Sequence, residues 1–214
     1  MLYSQQRNSS NGVRLAAPWN LDALRESLQE GRLIADTYMN FGAKSKGDRL
    51  STGINVDIEE AGEFNGNEVI PVYRVYGTSY VDTWMDGVGN RLGCGKAGLS
   101  PVHIASTNGS YIAELIQAQY CGARDEFTLL HTQFMGSDPN NNKQCVICAL
   151  KFSSCQVIAV SLDTYPIAHF VFSPVALEIH TMNYKQHSKE GINEFDGKKV
   201  YRIDTNLGSA SRKE

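Results

Sequence analysis

A chain of 214 residues with 42% hydrophobic composition is long enough to bury one core and short for two. A net charge of −3 excludes the basic field that nucleic acid or an anionic membrane surface requires, and no apolar run approaches a membrane-spanning length. Five cysteines leave at least one outside any disulfide framework, which points to a reducing compartment.

Residues 1–18 are rich in Ser, Asn, Gln and Arg and read as a loose arm. Residues 1–14 carry no apolar segment of the kind a Sec signal peptide needs. A helix follows, with Asn20 as N-cap, Leu21, Leu24 and Leu28 as its apolar stripe and Gly31 at the C′ position. Residues 32–41 read as a strand and 42–47 as a Lys/Gly/Ser loop. Residues 54–59 alternate as a half-buried strand, with Asp57 and Glu59 on its solvent face. Residues 68–76 form another strand, in which Pro71 marks an edge or a bulge. Residues 80–85 are extended, 87–98 form a glycine-rich loop and 102–105 a short strand.

A second helix is expected over 111–120, with Ser110 as cap, Ile112, Leu115 and Ile116 facing inward, and Gly122 ending it. Beyond it the chain reads as nearly all β, with strands at 127–134, 145–152, 156–162, 169–172, 177–183 and 199–203 and a turn at 138–142. Residues 208–214 should fray. The pattern predicts a single α+β domain over 19–207, with sandwich-like antiparallel β-sheets flanked by about two helices.

Two motifs invite a ligand and are better read otherwise. The glycine segment has five residues between Gly89 and Gly95, and Lys96 is followed by Ala97, so it is not a phosphate-binding loop. Gly93 comes one position too late after Gly87 and Gly89 for a dinucleotide fingerprint. Cys145 and Cys148 fall in a continuous strand pattern, where residues three apart point to opposite faces. They read as core cysteines, not as zinc ligands or a redox pair. No metal and no cofactor are expected. His131 and His180 read as satisfied strand histidines, and His169 and His187 carry no signal.

Cys94 and His103 remain. Cys94 lies among Gly93 and Gly95, where the backbone can approach a substrate, and eight residues separate it from His103. Gly95, Gly98 and Pro101 within that interval would let the chain reverse and bring the imidazole to the thiol. The N–H groups around Gly93, Cys94 and Gly95 are candidates for stabilising an oxyanion. The plain alternative is a small buried cysteine in a turn and a strand histidine.

A Gly-Cys step followed by Pro101-Val102-His103-Ile104 resembles the bacterial glutamine deamidase toxins, namely the cytotoxic necrotizing factor catalytic domains and the Burkholderia lethal factor 1 type. The opening helix at 21–31, the alternating strand at 53–58, Val81-Asp82 and Leu130-His131 have similar counterparts in the same order, over residues 20–135. Leu92 stands where the family has Ser, and the Cys-to-His spacing is shorter. The resemblance implies that Cys94 attacks a glutamine carboxamide on a target protein. His103 would relay the thiol proton to departing ammonia, and water would release glutamate from the thioester. Val88 occupies the place of the family residue that orients the histidine. The resemblance further implies a soluble toxin or effector, a hydrolase acting in the host cytosol. Its partner would be a host protein such as a Rho-type GTPase or a translation-initiation RNA helicase. The alternatives are a cysteine peptidase or transglutaminase using the same dyad, and a β-rich binding protein without catalysis. Oligomeric state is not legible.

Overall fold

The computed structural model describes residues 5–7, 13–15, 17–31, 35–41, 69–77, 79–85, 92–109, 111–122, 124–135, 143–161, 166–186, 193–205 and 209–213. In chain order the described elements are β1 (Gln5–Arg7), β2 (Val13–Leu15), α1 (Leu21–Gln29), β3 (Thr37–Phe41), β4 (Val69–Tyr76), β5 (Ser79–Met85), β6 (Leu92–Leu99) and β7 (Val102–Thr107). After them come α2 (Tyr111–Cys121), β8 (Arg124–Met135), β9 (Lys143–Ser161), β10 (Ile167–Ser173), β11 (Ala176–Gln186), β12 (Asn193–Asp204) and β13 (Ser209–Lys213).

The main sheet has nine strands in the order β10-β7-β4-β3-β8-β9-β11-β12-β13, and β10 also pairs with β9. That extra pairing closes the first six strands into a barrel. Strands β11, β12 and β13 continue from the barrel wall as an extension, and every pairing is antiparallel. The expected antiparallel β domain with two helices is what forms, but it is more sheet-dominated than an α+β sandwich. The barrel arises because β9 is one long strand where two were expected. Its residues 148–153 pair with β11, and its residues 156–161 pair with β10. Ser154, between the two stretches, has a φ of 53° and is where β9 bends from one partner to the next.

Alternation fills the barrel. Met39, Ile70, Val72, Ile104, Phe127, Leu129, Phe170 and Phe172 point inward into one core cluster. Helix α2 adds Tyr111, Ile112 and Leu115 to it. Three caps of the sequence reading are present. The Asn20 side chain accepts from the N–H of Asp22 at 2.9 Å, and Gly31 and Gly122 take the positive φ that ends α1 and α2. Pro71 lies in an interior strand, not at an edge. Beside it β4 falls out of register with β7 between Val72 and Arg74, so the bulge is real.

Other expectations shift. The glycine segment was expected as a loop, yet Leu92–Leu99 is a strand. Residues 1–18, expected to be loose, contain the pair β1–β2, and β13 pairs with β12 where fraying was expected. The strand expected at 54–59 lies outside the described residues, as do Ser110 and His187. Cys145 is buried in the sheet and Cys148 is half-buried, and both are thiols, not disulfides.

Candidate functional site

Strands β5 and β6 form their own two-stranded sheet. They prolong a hairpin whose base is part of the barrel. Tyr76 pairs with His103 between β4 and β7, and a few residues further along Ser79 pairs with Leu99 between β5 and β6. The β5–β6 pair is therefore an arm growing out of the barrel wall, and β6 lies beside β12 and β13.

The predicted site residues fall at different places on this hairpin. Gly93 is opposite Trp84 and Cys94 opposite Thr83, both within β6. Gly95 and Lys96 together face Asp82, which makes a β-bulge between the Thr83–Cys94 and Val81–Ala97 pairs. The five strand steps from Cys94 to Leu99 carry the backbone roughly 16 Å, at about 3.3 Å per residue. His103 belongs to the other sheet, near the start of β7. The reversal expected between the two residues is thus replaced by a strand that runs along the arm. Val88 lies outside the described residues.

His103 is 0% exposed. It alternates with the core residues Val102 and Ile104 and so lies on the outer barrel face, where β7 and β10 run side by side. His103 pairs in register with Val171, and Ala105 with His169, which makes the two histidines diagonal neighbours. Their rings stack with centroids 5.4 Å apart and planes 13° apart, and His103 Nδ1 lies 3.3 Å from His169 Nε2. Trp19 stands edge-on to both, at 6.1 Å from His103 and 5.7 Å from His169. Tyr76 meets His103 from the β4 side at 6.3 Å. Burial holds both imidazoles below their usual pKa, and His169, next to His103, is pushed down to about 4. At neutral pH this is a pair of uncharged packed rings.

A second polar group lies on β3 and β8. Thr37 Oγ1 is 2.9 Å from His131 Nδ1 and donates to Asp36 Oδ1 at 3.1 Å. The backbone N–H and the hydroxyl of Thr132 both donate to the Asp36 carbonyl at 2.8 Å. Burial lowers the His131 pKa, and the Asp36 charge pulls it part of the way back. On β11 and β12, Glu178 faces His180 at 3.4 Å and Arg202 at 3.6 Å, and Arg202 also meets Asp204 at 3.4 Å. Glu178–His180 and Arg202–Asp204 are each two residues apart on one strand, but the Thr37–His131 and Thr132–Asp36 contacts span 94 and 96 residues, and nothing local announces them. Trp19 and His169 were missed for the same reason.

A cavity of about 90 Å³ lies at the arm base, lined by Val75, Leu99, Val102, Phe152 and Leu177 among others. It is apolar, and it is small beside the ~300–1,000 Å³ of usual ligand sites. Among the described residues no three His, Cys, Asp or Glu side chains gather to hold a metal ion, and no helix is long and apolar enough to cross a membrane.

No protein-family model matches the sequence, and no curated protein matches it. Solved structures do match. A type six secretion system protein is 16% identical and superposes with a TM-score of 0.58, over 83% of this chain and 100% of the other. A mutant form of Hcp1 from the E. coli EAEC 042 pathovar is 11% identical with a TM-score of 0.52, over 77% and 99%. Hcp1 from Salmonella typhimurium is 11% identical with a TM-score of 0.50, over 83% and 100%. These findings correct the deamidase resemblance, because a short Gly-Cys and His pattern does not determine which sheet each residue enters. The cysteine-hydrolase activity, the toxin mechanism and the host-protein substrate are withdrawn with it. What the chain shares with the Hcp proteins is their fold.

Proposed function

We propose that this chain is a non-catalytic, Hcp-like structural component of a type VI secretion apparatus, exported by it and assembling with copies of itself into closed rings. The observation that carries the reading is the fold likeness, which extends over 83% of this chain and the whole of the matched secretion protein. A second feature supports self-assembly. Strand β13 ends the strand order and leaves a backbone edge open among the described strands. Open edges pair readily, and closed cyclic assemblies use them up. On this reading Gly93, Cys94 and Gly95 serve as strand and bulge residues of the arm, and His103 serves as packing.

Light scattering on the eluting protein, with negative-stain images of the peak, tests the proposal. The expected result is one discrete oligomeric mass with ring-shaped particles. A monomer that persists at high concentration would overturn it.

A further inference from the structure

One row of residues runs in register across four strands. Thr37 of β3 is opposite His131 of β8, His131 is opposite Cys148 of β9, and Cys148 is opposite Thr181 of β11. Directly opposed residues of an antiparallel ladder share a face, with Cβ atoms about 4.5–5.5 Å apart. Hydrogen bonds fix the imidazole within this row. Thr37 has one hydroxyl proton, which goes to Asp36 Oδ1 at 3.1 Å. The 2.9 Å bond between Thr37 Oγ1 and His131 Nδ1 must then use the ring's own proton. The neutral ring therefore carries its hydrogen on Nδ1 and a bare lone pair on Nε2. Proteins hold a metal-binding histidine in this way, with one ring nitrogen donating to an outer partner and the other left as a ligand. The strand order β3-β8-β9 puts Cys148 on the side of His131 away from Thr37.

We propose that His131 Nε2 and Cys148 Sγ together bind one soft monovalent metal ion of the copper(I) class. Such an ion is satisfied by two ligands in line when one is a thiolate, whereas zinc takes four. Among the described residues no third His, Cys, Asp or Glu gathers with this pair, so the ligand count fits the first ion and not the second. Both ligands are half-buried, which leaves an ion a way in. Binding involves no redox step. The S–H bond of Cys148 breaks, a sulfur–metal bond forms, and the proton leaves to solvent. Burial lowers the His131 pKa, with the Asp36 charge opposing it, so Nε2 is unprotonated at neutral pH. Burial raises the Cys148 pKa, so before the ion arrives the group is a thiol. The site does not depend on the assembly reading, since both ligands and the Thr37–Asp36 relay lie within one chain.

Silver(I), a redox-inert ion of this class, is the probe, titrated into the full chain by calorimetry at neutral pH. The expected result is one tight equivalent that is lost in Cys148→Ser and kept when the exposed Cys121 is replaced in Cys121→Ser. His131→Gln should weaken that equivalent by at least about tenfold, and Thr37→Val, which keeps both ligands and breaks the relay, by about 10–100-fold. The two variants are independent, so Thr37→Val carries the test should His131→Gln not fold. A tight equivalent that survives in Cys148→Ser, or no tight equivalent at all, would overturn the site. So would parental affinity in whichever histidine-side variant folds, since the thiol would then bind alone.

Discussion

Ser106 donates its hydroxyl proton to the carbonyl of Pro71 at 2.6 Å, across the point where β4 falls out of register with β7. The bulge displaces this carbonyl from the regular ladder, and a buried serine satisfies it. Ser106→Ala should therefore cost about 1–3 kcal/mol, the penalty for stranding a buried acceptor. Urea unfolding of the variant against the parent measures it. A loss under about 0.5 kcal/mol would mean that another donor replaces the hydroxyl.

Ser154 holds a φ of 53°, which a Cβ makes costly and glycine tolerates. Ser154→Gly should keep or raise stability by up to about 1 kcal/mol, and Ser154→Val should lower it by about 1–2 kcal/mol. Parallel denaturation curves test the pair. If both variants are equally destabilised, the hydroxyl matters more than the backbone.

Stability should fall with acid in the window set by His169. Above its ordinary value of 6.5 the ring is neutral in both the folded and the unfolded chain, and the full stability is present. Between 6.5 and about 4 the unfolded chain takes the proton and the folded chain resists it, so stability drops. Below about 4 both forms carry the proton and this contribution levels off. The loss amounts to at most about 3 kcal/mol. Unfolding free energies measured at steps across the window should decline less in His169→Phe than in the parent. Equal slopes would assign the acid sensitivity to other groups.

Phe170 is fully buried in the barrel, with Tyr111 of α2 standing at 70° to its ring. Phe170→Ala should cost about 3–5 kcal/mol through the cavity it opens, lowering the thermal midpoint. A small effect would show that α2 collapses into the space.

Cys94→Ser should leave the oligomeric mass unchanged, because the proposed function asks of Cys94 only a strand position opposite Thr83. Light scattering on the variant reads this directly. Loss of assembly would give the thiol a part in the interface.

The helices were legible because their signals are local. Asn20, the Leu21/Leu24/Leu28 stripe and Gly31 sit within a few turns of one another, and each does in the fold what its residue type suggests. Strand β6 was not legible. A hairpin ladder forms between backbones, so Gly93 and Gly95 can join it although their residue type reads as loop. The union of two expected strands into β9 was hidden as well, because Ser153 and Ser154 look like a turn and act as a bend. The pairing of His103 with His169 depends on the register between β7 and β10, set by strands 66 residues apart in the chain. The Cys94 and His103 reading assumed that nearness in sequence would become nearness in space. The hairpin arm keeps its two ends apart instead.

Strand β9 gives backbone bonds to β8 along one side and to β11 and then β10 along the other. The barrel and its extension are therefore one mechanical body. Tension applied to β12 or β13 reaches the barrel wall through the backbone hydrogen bonds that join β13 to β12, β12 to β11 and β11 to β9. Removing β11 to β13 would not liberate a smaller barrel. It would uncover residues 148–153 of β9 as a raw edge, ready to pair with the nearest chain.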